Sequence, residues 1–336
     1  MNFQPFLDKV SQGGILTRSE ARQAFDGIMD GIVPEIQIAA FLAAMTVRGE
    51  RVNELVGAVE ALRSRCVKVN APADAIDCCG TGGDQLHTFN ISTTVALVLA
   101  GGGVPVAKHG NRSASSKCGG ADVLEALGVR IDGGADVAER CLEKANLCFL
   151  LAPAFHPAMK AVVPVRKTMA TRTIFNQIGP LANPAGVTRQ LIGVPTATWV
   201  KHLAQALETL GCQVAWLVNG HGGMDELSTI GPNKVTEVCV PCGSKIETIN
   251  PTDFGLATAR LEDLRGGDET TNADIVTQIL KGETGPRRDI VILNAAAGFV
   301  ITERCEDIAS GLALARESLD SGKAKQALEK LIEASQ

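Results

Sequence analysis

Short apolar runs alternate with helical segments after residue 75, and this alternation limits the possible folds more than any other feature of the chain. Strand-like runs lie at residues 75–79, 104–107, 147–151, 213–218 and 234–240. Helical patterns lie at residues 92–100, 121–127, 137–145, 199–210, 271–281, 286–300, 304–320 and 322–334. Strands that alternate with helices form mostly parallel sheets with helices on both faces. The sequence therefore predicts an α/β domain.

Residues 1–66 read as helices instead. Thr17 and Glu20 have the spacing of a capping box, and Pro34 suits the first turn of a helix that runs to about residue 48. Residues 36–45 of that helix are apolar nearly all round, so we expect the helix to be covered on both sides. The cover is either a partner subunit or the main domain of the same chain.

Four prolines in residues 155–185 interrupt the alternation, and this stretch reads as a return to the helical unit. The predicted domains are a helical domain at 1–71 with a return excursion at 156–186, and an α/β domain at 72–155 and 187–336.

Composition excludes several functional classes. The net charge is −5, Tyr is absent and Trp occurs twice, which argues against nucleic-acid binding. The longest apolar run, residues 95–107, is too short to span a bilayer, and the N-terminus lacks a secretory signal pattern. Ten cysteines in a chain of 336 residues do not indicate a disulfide framework. A cytoplasmic protein without membrane partners is expected.

A glycine-rich loop, Gly80-Thr81-Gly82-Gly83-Asp84, follows the first predicted strand. Glycines allow close backbone approach, and successive amides can bind an anion, although a tight turn without a ligand has the same pattern. The next helix begins near Asn90, Ser92 and Thr93, and a helix N-terminus favours phosphate. Ser92 reads either as an N-cap or as a hydroxyl that binds magnesium.

A second polar loop, predicted from Lys108 to Ser116, follows the strand at 104–107. Ligands of open α/β sheets bind beyond the carboxyl ends of the strands, so both loops are expected at one phosphate site. Asp225 and Glu226 come shortly after the strand at 213–218. Such a pair suits Mg²⁺, although acidic residues at a helix start give the same pattern.

Taken together, these motifs resemble the anthranilate phosphoribosyltransferase family, whose fold is shared with pyrimidine nucleoside phosphorylases. The segments that carry the resemblance run in the family's order: GTGGD, FNIST, KHGNRSASS, GGADVLEALGV, VRKTMATRTIFNQIGPLANPA and HGGMDELS. The resemblance implies a Mg²⁺-dependent glycosyltransferase of tryptophan biosynthesis. Such an enzyme moves the phosphoribosyl group of phosphoribosyl diphosphate (PRPP) to the amine of anthranilate. It also implies two Mg²⁺ ions and a homodimer joined through the N-terminal helices.

The resemblance also implies roles for individual residues. The PRPP site would comprise Gly80, Gly83, Asp84, Thr88, Asn90, Ile91, Ser92, Thr93, Lys108, His109, Gly110, Asn111, Arg112, Ser113, Ala114, Ser115, Ser116 and Gly120. The anthranilate site would comprise Gly80, His109, Asn111, His156 and Arg166, and the metal ligands would be Ser92, Asp225 and Glu226. The catalytic set would be Lys108, Arg166, Asp225 and Glu226.

Three positions depart from the family pattern. Gln85 stands where the family often has Gly, Cys118 where Ser is common, and Met159 where some members have an aromatic residue. These departures bear on the outer pocket. Two alternatives also follow from the fold class: a nucleoside phosphorylase, and a nucleic-acid-binding relative without catalysis.

Overall fold

The computed structural model describes residues 1–113, 117–240 and 243–336. The helices are α1 Gln4–Ser11, α2 Arg18–Met29, α3 Glu35–Arg48, α4 Val52–Arg63, α5 Ile91–Gly101, α6 Gly120–Ala126, α7 Ala135–Ala145, α8 Ala152–Phe155, α9 Val163–Met169, α10 Phe175–Ile178, α11 Ala197–Thr209, α12 Glu269–Leu280, α13 Pro286–Ile301, α14 Ile308–Asp320 and α15 Lys323–Ser335. The strands are β1 Ile76–Gly80, β2 Val106–Gly110, β3 Leu147–Leu151, β4 Arg189–Gly193, β5 Val214–Asn219, β6 Asn233–Cys239 and β7 Gly243–Ile249. Within the described residues, no helix is long and apolar enough to cross a membrane.

Helices α1–α4 form a small helical unit, as predicted. The capping box at α2 is confirmed, because the Thr17 hydroxyl accepts the amide hydrogen of Glu20 and the Glu20 carboxylate accepts that of Thr17. Pro34 takes the N-cap position of α3, one residue before the helix begins. The core of this unit also includes Val165, Phe175 and Leu181 from the return excursion.

Helix α3 is covered on one side only within a single chain. Ile38, Phe41, Leu42 and Met45 are buried, whereas the opposite face carries Ile36, Ala40, Ala43 and Val47. Ile36 is 80% exposed and Val47 is 90% exposed. The main domain of the same chain therefore does not provide the second cover that the apolar pattern predicts.

The seven strands form one sheet in the order β3-β2-β1-β4-β5-β6-β7. Strands β1 to β5 are parallel to one another. Strand β6 is antiparallel to β5, and β7 is antiparallel to β6 at the edge of the sheet. The mostly parallel sheet predicted from the alternation is confirmed. Helix α5 is buried from Thr93 to Ala100 because it packs between the sheet and helices α13–α15.

Sequence reasoning erred on three strands. Strand β2 continues to Gly110, so Lys108, His109 and Gly110 lie on the strand and not in the loop that was predicted there. Strand β4 was missed because its five residues begin with Arg189 and Gln190. Strand β7 was missed because it is a largely exposed, polar edge strand, with the burial pattern of a surface element.

Candidate active site

The strand order reverses between β1 and β4, since β2 and β3 follow on one side of β1 and β4 and β5 lie on the other. Ligands of open α/β sheets bind at such a switch point, beyond the carboxyl ends of the strands. Gly80 ends β1 and pairs with Gly193, which ends β4. A Cβ atom on Gly193 would lie 1.5 Å from the backbone oxygen of Asp225, so only glycine lets the Asp225 segment cross this point.

The glycine-rich loop leaves β1 with two of its amides already bonded. The amide of Thr81 donates to the carbonyl of Gly193 at 2.9 Å, and that of Gly82 donates to Oδ2 of Asp225 at 3.1 Å. Gly82 and Gly83 have φ angles of 71° and 80°, a region that favours glycine. The loop is therefore tied to the carboxylate segment by hydrogen bonds within the protein.

Three carboxylates meet beside this loop. Burial, strengthened by the negative charges of Asp84 and Glu226, raises the pKa of Asp225 well above its ordinary range. Burial also raises the pKa of Glu226, although the charge of Lys108 and hydrogen bonds from Ser92 oppose it. Oδ2 of Asp84 is buried and has no hydrogen-bond partner among the described residues. Such a cluster is stabilised when a cation binds.

These groups suit Mg²⁺, which prefers a few carboxylates together with waters and substrate phosphates. Across residues 1–113, 117–240 and 243–336, no three carboxylate, thiol or imidazole side chains are arranged to hold one ion by themselves. The donor set of Ser92, Asp225 and Glu226 therefore fits an ion that the substrate helps to bind.

Lys108 lies inside this cluster, with only 4% of its surface exposed. Its Nζ donates to the carbonyl of Cys78 at 2.5 Å and to the Ser92 hydroxyl at 3.1 Å. The strand position of Lys108 thus aims its ammonium group at the start of α5. This gives the site a fixed positive charge next to Ser92 and Glu226.

The start of α5 brings together the predicted phosphate ligands Asn90, Ile91, Ser92 and Thr93. Asn90, not Ser92, takes the N-cap position, and the Asn90 side chain makes no capping hydrogen bond. The reading of Ser92 as an N-cap is therefore wrong, and its hydroxyl faces Lys108 instead. Thr93 is buried, and its Oγ1 would be 3.2 Å from a Cβ atom on Gly120.

The segment after β2 is only partly described, because Ala114, Ser115 and Ser116 lie outside the described residues. Arg112 is exposed and forms ion pairs with Asp122 and Glu125. The amide of Ser113 donates to Asp122 at 3.0 Å. Asp122 therefore orders the described part of this segment at the start of α6.

Thr88 forms an isolated antiparallel β-bridge with Arg265. Gln85 has a φ angle of 61°, so the residue that replaces the family's glycine keeps a glycine-like backbone. Cys118 donates its thiol hydrogen to Oδ1 of Asn90 at 3.3 Å, a bond that a serine hydroxyl could also make.

A cavity of about 340 Å³ has Gly80 in its wall, whereas Asp84, Asp225 and Glu226 do not line it. It is lined by Gly80, Asn111, the two imidazoles His109 and His156, the guanidinium of Arg166, and apolar groups that include Met159 and Phe175. All five residues predicted to contact an aromatic acid thus line one cavity. Its volume lies at the small end of the range for ligand pockets, about 300–1,000 Å³, which suits a ligand of few atoms.

Arg166 and Lys160 are the two cationic side chains among the described residues that line this cavity. Burial lowers the pKa of the Arg166 guanidinium, which lies 5.7 Å from the centre of the Phe175 ring. Among the described residues, no carboxylate forms an ion pair with Arg166. A desolvated arginine without an acidic partner is suited to bind a planar carboxylate of a ligand.

The two histidines in the cavity wall are neutral at pH 7. Burial, with a smaller effect of His156, lowers the pKa of His109 to about 3, and burial lowers that of His156 to about 4. Nδ1 of His109 lies 3.2 Å from the carbonyl oxygen of Gly179, which can only accept, so Nδ1 carries the proton. Nε2 of His109 is left as an acceptor at the cavity.

Two residues that sequence reasoning did not assign also shape the site. Arg172 donates to the carbonyl of Gly82 at 2.6 Å, and its guanidinium lies 4.7 Å from the Trp199 ring centre. Asp77 of β1 is fully buried and accepts the amide hydrogen of His109 and an Nδ2 hydrogen of Asn183. Arg172 lies in the family-like segment around Arg166, which was the only signal that could have indicated it.

Comparison with known proteins identifies the family to which this fold and site belong. Residues 4–66 match the helical bundle domain of the glycosyl transferase family, and residues 72–325 match its a/b domain. The chain is 50% identical to the anthranilate phosphoribosyltransferase of Rhizobium rhizogenes over 334 residues, which cover 99% of this chain and 98% of that protein. The fold and site thus define a glycosyltransferase.

Solved structures agree with this match. The anthranilate phosphoribosyltransferase of Thermus thermophilus is 40% identical with a TM-score of 0.92, over 98% of this chain and 99% of that one. The Saccharomyces cerevisiae enzyme, solved with PRPP and Mg, is 26% identical with a TM-score of 0.91, over 99% and 97%. The yeast enzyme has also been solved with 4-fluoroanthranilate. This chain belongs to the anthranilate phosphoribosyltransferase family, and the family resemblance read from the sequence is confirmed.

Proposed function

We propose that the two sides of Gly80 hold the two substrates of one transfer reaction. PRPP binds on the side of the carboxylates, Lys108 and the start of α5, and anthranilate binds in the cavity that contains Arg166. The yeast relative supports this assignment because it binds PRPP with Mg and a fluorinated anthranilate. The observation that carries the proposal is the position of Arg166, a half-buried guanidinium without an acidic partner among the described residues, in the wall of a small cavity.

In the reaction, the bond between C1 of the ribose and the diphosphate oxygen breaks, and the diphosphate leaves with the bonding electrons. The amine of anthranilate forms a new bond to C1 with its lone pair and then loses a proton to the released diphosphate or to water. Because the neutral amine already has a lone pair, the reaction needs no strong base before attack. His109, with its lowered pKa, is too weak a base for that role but can accept a hydrogen bond from the amine.

The residues of this chain contribute position and charge. Arg166 orients the carboxylate of anthranilate so that the amine faces C1, and holding reactants in a reactive geometry lowers the barrier. The fixed ammonium of Lys108 stabilises the negative charge that develops on the leaving diphosphate. Ser92, Asp225 and Glu226 would hold the two Mg²⁺ ions that we propose. When bound, Mg²⁺ supplies further charge neutralisation to the diphosphate.

The proposed role of Arg166 is tested by steady-state kinetics of Arg166→Ala. Loss of a charge-assisted hydrogen bond should raise the KM for anthranilate about 10- to 100-fold. The KM for PRPP should change little. Lys167→Ala is the matched control, because Lys167 is an exposed cation on the same helix α9. An Arg166→Ala enzyme in which only the KM for PRPP rises would show that the assignment is wrong.

We further propose that the chain forms a homodimer through α3. Ile36, Ala40, Ala43 and Val47 form an exposed apolar stripe on an otherwise packed helix. Large exposed apolar side chains that cluster in this way mark interaction surfaces. The stripe is apolar and carries no charge, which fits a second copy of the same helix. A cytoplasmic location also remains a prediction.

A further inference from the structure

The side chain of Asn272 lies next to the proposed phosphate ligand Asn90, although 182 positions separate the two residues. Asn272 is in the first turn of α12 and is 1% exposed. Its Nδ2 donates to Oδ1 of Asn90 at 2.8 Å. Its Oδ1 accepts the backbone amide hydrogen of Gly267, also at 2.8 Å. Both ends of the Asn272 amide are therefore bonded.

The backbone around these two side chains is packed closely. The amide of Phe89 donates to the carbonyl of Leu264 at 3.1 Å, and the amide of Gly266 donates to the carbonyl of His87 at 3.0 Å. A Cβ atom on Gly266 would lie 2.6 Å from Oδ1 of Asn272 and 2.8 Å from Cα of Phe89. The segment before α12 thus holds the loop before α5 at fixed spacing.

The backbone amide of Gly267 also fixes which way each side-chain amide points. A backbone N–H can only donate, so the atom of Asn272 that faces Gly267 is the oxygen. Nδ2 of Asn272 then faces Asn90, and the atom of Asn90 that it meets is the oxygen Oδ1. Nδ2 of Asn90 must point the other way, where the carbonyl of Cys118 accepts one of its hydrogens at 3.3 Å.

The remaining hydrogen of Asn90 Nδ2 has no acceptor within residues 1–113, 117–240 and 243–336. It belongs to the N-cap residue of α5, the helix start at which Ser92 meets Lys108. An anionic substrate needs donors at this point, and an amide turned by 180° would present its oxygen to the anion instead.

We propose that Asn272 is a positioning residue that keeps the amide of Asn90 turned with its N–H donors towards PRPP. Asn272 does not touch the substrate and acts through Asn90. This role rests on the proposed place of Asn90 in the PRPP site. A double-mutant cycle distinguishes an error in the role of Asn272 from an error in the place of Asn90.

The test is a double-mutant cycle read by isothermal titration calorimetry of PRPP at fixed Mg²⁺ concentration, without anthranilate. Asn272→Asp keeps the acceptor for Gly267 but removes the donor to Asn90, so the Asn90 amide turns round to donate to the new carboxylate. PRPP affinity should fall at least about 10-fold, the usual effect of losing a hydrogen bond to a charged group. Asn90→Ala should weaken binding by a similar factor.

The double variant decides whether the effect passes through Asn90. If it does, Asn90→Ala with Asn272→Asp should bind PRPP no more weakly than Asn90→Ala alone. In all three variants, the KM for anthranilate should stay within about twofold of the wild-type value, whereas a general loss of structure would change it. If the buried carboxylate of Asn272→Asp prevents folding, Asn272→Ser replaces it in the same cycle, because the serine side chain is too short to reach Asn90.

Two results would overturn the inference in different ways. If Asn90→Ala weakens PRPP binding but Asn272→Asp and Asn272→Ser do not, Asn90 is a ligand that needs no positioning by Asn272. If Asn90→Ala leaves PRPP affinity unchanged, the proposed place of Asn90 in the site is wrong as well. Effects that multiply in the double variant would show that Asn272 acts independently of Asn90.

Discussion

Gly80→Ala should disturb the carboxylate cluster without unfolding the protein. A Cβ atom on Gly80 would lie 2.4 Å from Oδ2 of Asp225, whereas ordinary contacts begin at 3.4 Å. The Asp225 carboxylate must therefore move by about 1 Å, away from its hydrogen bond to Gly82. Because a side-chain carboxylate can rotate, the fold should remain. A misplacement of about 1 Å at a reactive centre costs about 100-fold in rate.

The assay is the fluorescence of anthranilate, followed as it is consumed with PRPP at a series of Mg²⁺ concentrations. Gly80→Ala should lower kcat/KM about 100-fold and raise the Mg²⁺ concentration needed for half-maximal rate. Gly134→Ala is the matched control, because a Cβ atom on Gly134 meets nothing within 4 Å and its φ angle is −74°. A Gly80→Ala enzyme with more than half the wild-type kcat/KM and an unchanged Mg²⁺ requirement would refute the reasoning.

Three further predictions concern charge and assembly. The double change Asp225→Asn with Glu226→Gln should lower Mg²⁺-dependent turnover at least about 100-fold. The Tm should hold or rise, because burial disfavours the ionised form of both carboxyl groups. Unchanged turnover would contradict the metal site. The pKa of His109 falls from 6.5 to about 3 on folding, so its stabilisation is present above pH 6.5 and is lost as the pH falls towards 3. Wild type should therefore lose about 2 kcal/mol more unfolding free energy between pH 7 and pH 5 than His109→Gln, as measured by urea titration; equal losses would contradict the lowered pKa. Val47→Glu should give a monomer in sedimentation velocity. Ile246→Glu is the control and should leave the dimer intact, because Ile246 is also an exposed apolar residue but lies on β7. A dimer of Val47→Glu would exclude α3 as the interface.

The sequence predicts those parts of the fold that depend on local pattern. The capping box at Thr17, the strand at 147–151 and the buried helix α5 follow from residue spacing and continuous apolar runs. The resemblance assigns Arg166 to the anthranilate site, and Arg166 lines one cavity with the other four residues assigned to that site. The capping box, the strand and the helix could be inferred because each depends on residues that are close together in the chain, whereas the assignment of Arg166 depends on the resemblance.

Features that depend on distant residues could not be predicted. Lys108 was expected in a loop, but pairing with β3 extends β2 to Gly110, and the ammonium group of Lys108 faces Ser92. Strand β7 has the polar pattern of a loop and is a strand only because β6 pairs with it. The contact between Asn272 and Asn90 joins residues that are 182 positions apart in the chain, and no local signal indicates it.

The central claim is that one site, divided at Gly80, holds PRPP and anthranilate together. It is tested most directly by mixing the purified protein with anthranilate, PRPP and Mg²⁺ and measuring both anthranilate fluorescence and released diphosphate. The account predicts the loss of one anthranilate for each diphosphate formed, and no loss when PRPP or Mg²⁺ is omitted. Diphosphate release without anthranilate consumption, or turnover of thymidine and phosphate in its place, would contradict it.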